Sequence, residues 1–475
     1  MDTISLVHFN SNNSPREEIA LDIKLKGGYP VIDKLTLLIP ENLDLDRILE
    51  EFPPAFKFKK DKFIYILDLI YSIPARKKKM VEDYPGFTPI NKTILGSIIK
   101  DYRKYIDYLK ARGIVEEDNY IVGEKSRGLK FTEKYQTQTK PIEITDWALI
   151  KNISYLRKKT NTEKTSQLIF MKKWFRGLEV DLKGATDYLQ GEYLKDVENP
   201  NEKFPHLKLN SRLYPIQKLH REPDSLFFVD ETAGRLHTYL TQLKSELRKF
   251  ITYKGKRLCA IDITNSQPYL LLSLLDKKIF IRNNMSERIA SSNPTIESQD
   301  KTIHIMLGVL VDGVSNEEDV NLFKEIVSSG NFYEKFGEIL IENNEIEELD
   351  DPSELRKMVK EITFSTLFSE NSLIRYLNSI KIFQRTFPNV YEVIKSIKEN
   401  HHPTLAVTLQ NLEADLVLHK ACKIISEKKP DVPIFTLHDS IITTEENIEF
   451  VQSVLKNVLK ENIGIAPNLK IERWE

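Results

Sequence analysis

Two aspartates end apolar runs in settings where a carboxylate could do chemistry. In KRLCAIDITNSQPYLLLSLL, a short apolar segment reaches Asp262 and is followed by a polar turn and an apolar, helix-like run. In VPIFTLHDSIITT, an apolar strand turns at His438-Asp439-Ser440 and continues as a second strand. If the two strands are neighbours, the carboxylates meet. Such a pair holds hard cations through oxygen, and two Mg²⁺ ions so held clamp the attacking and leaving oxygens of a phosphoryl transfer. Taken singly, a strand-end Asp is most often a turn or cap residue. The segment between them changes that balance. ELRKMVKEITFSTLFSEN places Arg356, Lys360, Phe364 and Phe368 at four-residue steps. On a helix these positions share one face, giving two cations and then two rings along a single stripe. Cations meet a triphosphate and rings stack on a base. A plain amphipathic helix accounts for the rings but not for the cations in line with them.

The elements that must position these residues can be read only coarsely. Residues 1–54 alternate apolar and polar around DIKLKGGYP and DKLTLLIP, which suggests a few strands. Over residues 55–140, FIYILDLIYSI and KKMVEDY read as short helices. NKTILGSIIKDYRKYIDYLKARG then shows helical spacing of Ile94, Leu95, Ile98, Ile99, Tyr102, Ile106 and Leu109, with Gly113 as the residue that ends the helix. Two strand-like runs follow, about a Gly-Glu-Lys-Ser-Arg-Gly turn. Two helices, a basic helix and a basic-tipped hairpin resemble a winged helix-turn-helix, in which Lys100, Arg103, Lys104, Lys125 and Arg127 touch phosphate or a groove. The alternative is a winged helix used only for packing or protein contacts. Residues 141–230 look mainly helical, a linker or thumb-like region, and 231–475 hold the two aspartates.

Charge supports a polyanionic partner once it is counted locally. The 475 residues carry 69 Lys+Arg and 70 Asp+Glu, a net charge of -1. From Ala55 to Lys140 there are 19 basic and 11 acidic residues, a net of 19 − 11 = +8. Pro141 to Ile261 gives 22 − 15 = +7, and Glu317 to Glu354 gives 2 − 13 = −11. A basic stripe neutralises phosphates and releases counterions. The acidic block falls almost wholly within residues 284–352, reads as an insert, and is expected to stay away from the polyanion. With 41% hydrophobic and 29% charged residues the chain can bury a core. The two cysteines exclude a disulfide scaffold and a CxxC zinc site. MDTISLVHFNSNNSPREE lacks the basic-then-apolar pattern of a signal peptide. No apolar run of about 20 residues is present, so no membrane span is expected.

In residues 228–475 these features resemble family A DNA polymerases and their single-subunit RNA polymerase relatives. CAIDITNSQPYLL is similar to motif A, the Arg356-to-Phe368 stripe to motif B and FTLHDSII to motif C. TAGRLHT, ELRKFI, FPNVYEVIKSI with TLQNLEADLVLHKA, and the ending PNLKIERWE resemble further family segments in the family's order. The resemblance implies an α+β fold: a right-hand palm of antiparallel sheet with mainly helical fingers and thumb, joined to the winged-helix-like N-terminal domain. It implies two Mg²⁺ ions, with Mn²⁺ as a substitute, on Asp262, Asp439 and the Ile263 carbonyl. Lys360 and Arg356 would face the triphosphate, with Lys360 protonating the pyrophosphate leaving group. Phe364 and Phe368 would pack at the nucleotide sugar and templating base. Arg235, Gln410 and His438 would contact the primer–template backbone, groove or 3′ end. The partners implied are a DNA primer–template, deoxynucleoside triphosphates, and replication proteins of a phage or mobile element, in prokaryotic or phage-infected cytoplasm or on the nucleoid.

The sequence departs from that pattern in four places. Gln267 stands where family A DNA polymerases carry a Glu that blocks the ribose 2′-OH. Phe368 replaces a usual Tyr, Ser365 a usual Gly, and Ser440 matches the phage-type RNA polymerases where DNA polymerases have Glu. Ribonucleotide use therefore stays open. The N-terminal half holds no convincing Asp-x-Glu exonuclease motif, so proofreading is not expected. Three readings follow: a DNA polymerase, an RNA polymerase or primase-like enzyme on the same palm, and a non-catalytic winged-helix replication initiator.

Overall fold

The computed structural model describes residues 25–26, 29–30, 34–76, 86–119, 127–156, 162–295 and 301–475. The chain divides into two compact units, Met1–Arg157 with Tyr193–Tyr214, and Lys158–Glu192 with Pro215–Glu475. Helices and antiparallel sheet occur in both, and no described helix is long and apolar enough to cross a membrane.

In the first unit, strands Leu35–Pro40 and Thr139–Ile144 pair antiparallel, Leu35 opposite Ile144. The helix Lys60–Arg76 is buried over most of its length. Its Asp68 is buried too: its carboxylate accepts from the Leu38 N–H at 2.8 Å and the Tyr214 hydroxyl at 3.3 Å. A buried carboxylate needs such donors. A short strand Thr88–Pro89 comes next, then helices Lys92–Ile98 and Tyr102–Ala111 and strands Val115–Glu117 and Gly128–Phe131. The three strands form one antiparallel sheet with Gly128–Phe131 in the middle.

The single helix expected from Asn91 to Gly113 is thus two helices. Ile99 is extended, and Asp101 precedes the second helix. Ile98 and Ile99 are both buried. On one straight helix adjacent positions point about 100° apart, so a break lets both reach the core. Gly113 follows the second helix at φ +64°, the left-handed position that glycine takes at low strain. The hairpin tip, with Lys125, lies outside the described residues.

The second unit is built on a six-stranded antiparallel sheet. Its order is Phe435–Leu437, Ser440–Thr444, Lys256–Ile263, Ile251–Tyr253 and Leu178–Val180, and Leu469–Arg473 also pairs with Lys256–Ile263. The central strand begins from a two-residue turn in which Lys254 (φ +48°) and Gly255 (φ +73°) are both left-handed, as a type I′ hairpin requires. Leu258, Cys259, Ala260 and Ile261 are fully buried, which explains why this strand reads as a continuous apolar run. Trp474 is buried, and its backbone N–H donates to the Leu258 carbonyl at 3.1 Å.

The helix Pro352–Phe368 starts at an Asp351 N-cap, whose side chain accepts from the Ser353 N–H, with Pro352 in the first turn. At its other end the buried Lys398 donates to the Thr366 and Ser369 carbonyls at 3.1 and 2.9 Å. Burial lowers the Lys398 ammonium to about 8 from its ordinary 10.5. Lys398→Met takes this donor from the Thr366 and Ser369 carbonyls but also removes a charge that burial disfavours, so its clear signature is in the pH dependence. The folded pKa lies below the unfolded one, so wild-type stability should rise between pH 8 and 10.5. Urea melts across that window should show the rise in wild type and not in the variant.

Candidate active site

Asp262 lies near the end of the central strand, opposite Ser440 on the neighbouring strand. Asp439 immediately precedes Ser440, in the two-residue loop that joins Phe435–Leu437 to Ser440–Thr444. The register therefore delivers both carboxylates to one end of the same strand pair. Burial, and then the Asp439 charge, raise Asp262 to about 6; a hydrogen bond from Ser440 and the Arg248 charge oppose the rise. Burial also raises Asp439, against its own backbone N–H, a Ser266 hydrogen bond and the charges of Lys360 and Arg235. Both carboxyls are lifted by desolvation, and Asp262 also by the Asp439 charge, so the nearby cations only partly offset the cost of burying two acids.

Two non-glycine residues with left-handed backbone flank the pair: His438 at φ +53° and Asn265 at φ +54°. Glycine normally takes the first position of such a tight hairpin loop. Strain of this kind persists where the surroundings over-determine it and gathers at functional sites. Asn265 precedes the short helix Ser266–Leu271, so the chain reverses sharply three residues after Asp262. Ile263 closes the strand with its side chain in the core.

The stripe on the Pro352–Phe368 helix faces this region. Arg356 Nη2 donates to Asn265 Oδ1 at 3.2 Å, and its guanidinium lies 4.9 Å from the centre of the Tyr333 ring. Arg356 also pairs with Glu334. Lys360 is exposed, with its ammonium 5.5 Å from the Phe364 ring centre, and its charge acts on Asp439. Phe364 and Phe368 are half-buried with ring centres 5.8 Å apart, and Phe368 packs against the core.

Sequence reasoning missed the residue at the centre of this cluster. Glu413 lies on the helix Pro403–Ala414, three residues after the half-buried Gln410, and its side chain is 2% exposed. One oxygen accepts from Arg235 Nε and Nη2 at 3.2 and 2.9 Å; the other accepts from Gln267 Nε2 at 2.9 Å and from Ser266 Oγ at 3.5 Å. Burial raises Glu413 to about 7, outweighing Arg235. Arg235 is therefore held by a carboxylate, and Gln267 has its amide nitrogen turned onto the same group. The signal was an acid between Leu412 and Ala414 in an otherwise buried stretch.

Tyr333 and Glu334 were also missed. They belong to the helix Phe332–Glu342, inside the acidic insert that was expected to stay away from the polyanion. Its buried face (Phe332, Tyr333, Phe336, Leu340) is part of the second unit's core. That packing brings Glu334 to Arg356.

In the first unit Lys100 and Lys104 are exposed. Arg103 instead forms a bidentate pair with Glu117 at 2.6 and 2.8 Å and also reaches Asp107 at 2.6 Å. Burial would raise Glu117, but Arg103 and Lys110 hold it down at about 2. Arg127 stands 3.8 Å from the same carboxylate.

Among the described residues no group of three or more His, Cys, Asp or Glu is placed to hold a metal ion. No family model matches the chain, and no curated protein matches it. Among solved structures it is similar to the POL domain of Pol1 from M. smegmatis in complex with DNA primer-template and dNTP. Identity is 11%, over 70% of this chain and 73% of that one, with a TM-score of 0.31.

Proposed function

We propose that this chain performs template-directed nucleotidyl transfer, extending DNA from deoxynucleoside triphosphates without proofreading, on a phage or mobile-element replicon. The observation that carries the reading is the convergence of Asp262 and Asp439 at one strand end with the Arg356–Lys360 stripe turned toward them. The donor set fits Mg²⁺: hard carboxylate oxygens, both raised by burial and one by the other's charge. Asp262, Asp439 and the Ile263 carbonyl would hold two ions. When bound, they would supply positive charge directly on the two carboxylates and steady the transferring phosphoryl group.

The chain's own residues do the rest by positioning and electrostatics. Arg356 and Lys360 grip the triphosphate, and Lys360 protonates the departing pyrophosphate. Phe364 and Phe368 pack at the sugar and templating base, and Gln267 faces the nucleotide. Arg235, Gln410 and His438 face the primer–template. In the first unit, the order of helix, short strand, two helices and two strands, with the last strand central, supports the winged-helix reading. Lys100 and Lys104 then carry the phosphate contacts, while Arg103 chiefly ties the fold. Lys100→Ala with Lys104→Ala should flatten the salt dependence of DNA binding by a slope of about 2. An unchanged slope in filter binding would assign this face to protein contacts.

A second reading, an RNA polymerase or primase-like enzyme, is favoured by Ser440, which is buried opposite Asp262 where DNA polymerases carry Glu. Incorporation of dNTPs and rNTPs on primed and unprimed templates separates the two. Extension of a primer with dNTPs supports the first reading, and unprimed synthesis with rNTPs alone supports the second.

A further inference from the structure

The ion pair on Arg356 has a consequence for any polyanion that binds there. Arg356 and Glu334 are both reachable from solvent, at 37% and 46% side-chain exposure. The guanidinium is already oriented, lying on the buried Tyr333 ring with Nη2 on Asn265 Oδ1. Those two contacts are neutral and leave its charge available. Among the described residues, Glu334 is the one contact that neutralises it. Lys360, one turn along the same helix, has its ammonium toward the Phe364 ring and stays exposed.

We infer that Glu334 is an internal stand-in for a phosphate: its carboxylate occupies Arg356 until a polyphosphate ligand displaces it, and so sets the affinity of the Arg356–Lys360 site. The inference rests on the proposed function for the identity of the ligand, a nucleoside triphosphate. Three features support displacement rather than a permanent structural pair. An exposed ion pair is weak, with a net worth of ~0.2–1 kcal/mol. A triphosphate offers several anionic oxygens and bidentate geometry to the same guanidinium. The orientation of Arg356 does not depend on Glu334, because Tyr333 and Asn265 hold it from other sides. Tyr333 and Glu334 are adjacent on one helix, so the acidic insert supplies both the platform and the competitor. Tyr333 is a positioning residue on this view, and Glu334 a determinant of affinity.

The test is direct binding of inorganic tripolyphosphate, followed by calorimetry, to the full chain and to Glu334→Gln, Arg356→Gln and the double variant. Glu334→Gln should tighten binding about two- to fivefold, the worth of the exposed pair it removes. Arg356→Gln should weaken it, and in that background Glu334→Gln should have no further effect, because the two residues act as one pair. Glu334 is exposed, so the variant should fold, and a thermal melt checks this. Equal tightening in both backgrounds would overturn the inference, since it would mean that only a distant negative charge had been removed. Unchanged or weaker binding in Glu334→Gln would overturn it too. A wild-type chain that extends primers but shows no coupling between the two sites leaves the proposed function standing and rejects this inference alone. A wild-type chain that binds no tripolyphosphate rejects both.

Discussion

Asp262→Ala and Asp439→Ala should each cut nucleotide addition by about a thousandfold or more, because a lost metal clamp removes several kcal/mol of transition-state stabilisation and each ~1.36 kcal/mol is tenfold. The loss should appear in the rate at saturating nucleotide. DNA affinity should change by less than about threefold, since backbone contacts elsewhere supply it. Both carboxyls are desolvated and repel one another, so either alanine also removes a source of native-state strain. Each variant should therefore be at least as stable as wild type when no divalent cation is present. Added Mg²⁺ should raise the melting temperature of wild type more than that of either variant, by mass action on the folded state. Single-turnover extension alongside melts with and without Mg²⁺ checks both statements. An alanine variant that extends primers normally would remove the residue from the site.

Glu413 is expected to give the second large effect, of a different kind. Glu413→Ala strips a buried acceptor from Arg235 and from Gln267 at once. Breaking a buried pair from one side should destabilise the unit by about 3 kcal/mol. The freed side chains shift, and small misplacements near the chemistry lower kcat/KM by about a hundredfold. Glu413→Gln keeps the volume and one acceptor oxygen, so it should fold better than the alanine variant while still losing the charge that holds Arg235.

The pH dependence separates this residue from Asp262. Both have folded pKa values above their ordinary ones, about 7 against 4.5 for Glu413 and about 6 against 3.8 for Asp262. The folded state keeps protons that the unfolded state has released. The stabilisation is full below the ordinary values and is lost as the pH climbs through about 6 to 7. In Glu413→Gln the part of that decline between pH 6 and 7 should disappear. Denaturant midpoints from pH 4 to 8 in the absence of metal measure it.

The position of the two carboxylates was legible because each Asp ends an apolar run, and strand periodicity places such residues at an element's tip. Their register was not, since nothing local tells Asp262 that Ser440 will stand opposite. The i, i+4 stripe from Arg356 to Phe368 was legible as one helix face, and the structure adds which side chain already has a partner. Arg103 shows the limit of counting cations. Its charge is engaged by Glu117, fourteen residues away and joined to it only by folding. Local charge misled in the other direction for Glu334, because a net of −11 over a segment says nothing about which acid a helix turns toward a cation. Glu413 stands between Leu412 and Ala414 in a largely apolar segment, but nothing local says that Arg235 and Gln267 will meet it there.

The most direct test of the central claim is extension of a 5′-labelled primer on a longer template, with the single next complementary dNTP and Mg²⁺. The expected result is addition of one template-specified nucleotide by the wild-type chain, stopped by chelation and absent from Asp439→Asn. No addition by the folded wild-type chain, or addition that persists in Asp439→Asn, would contradict a nucleotidyl-transfer site at Asp262 and Asp439.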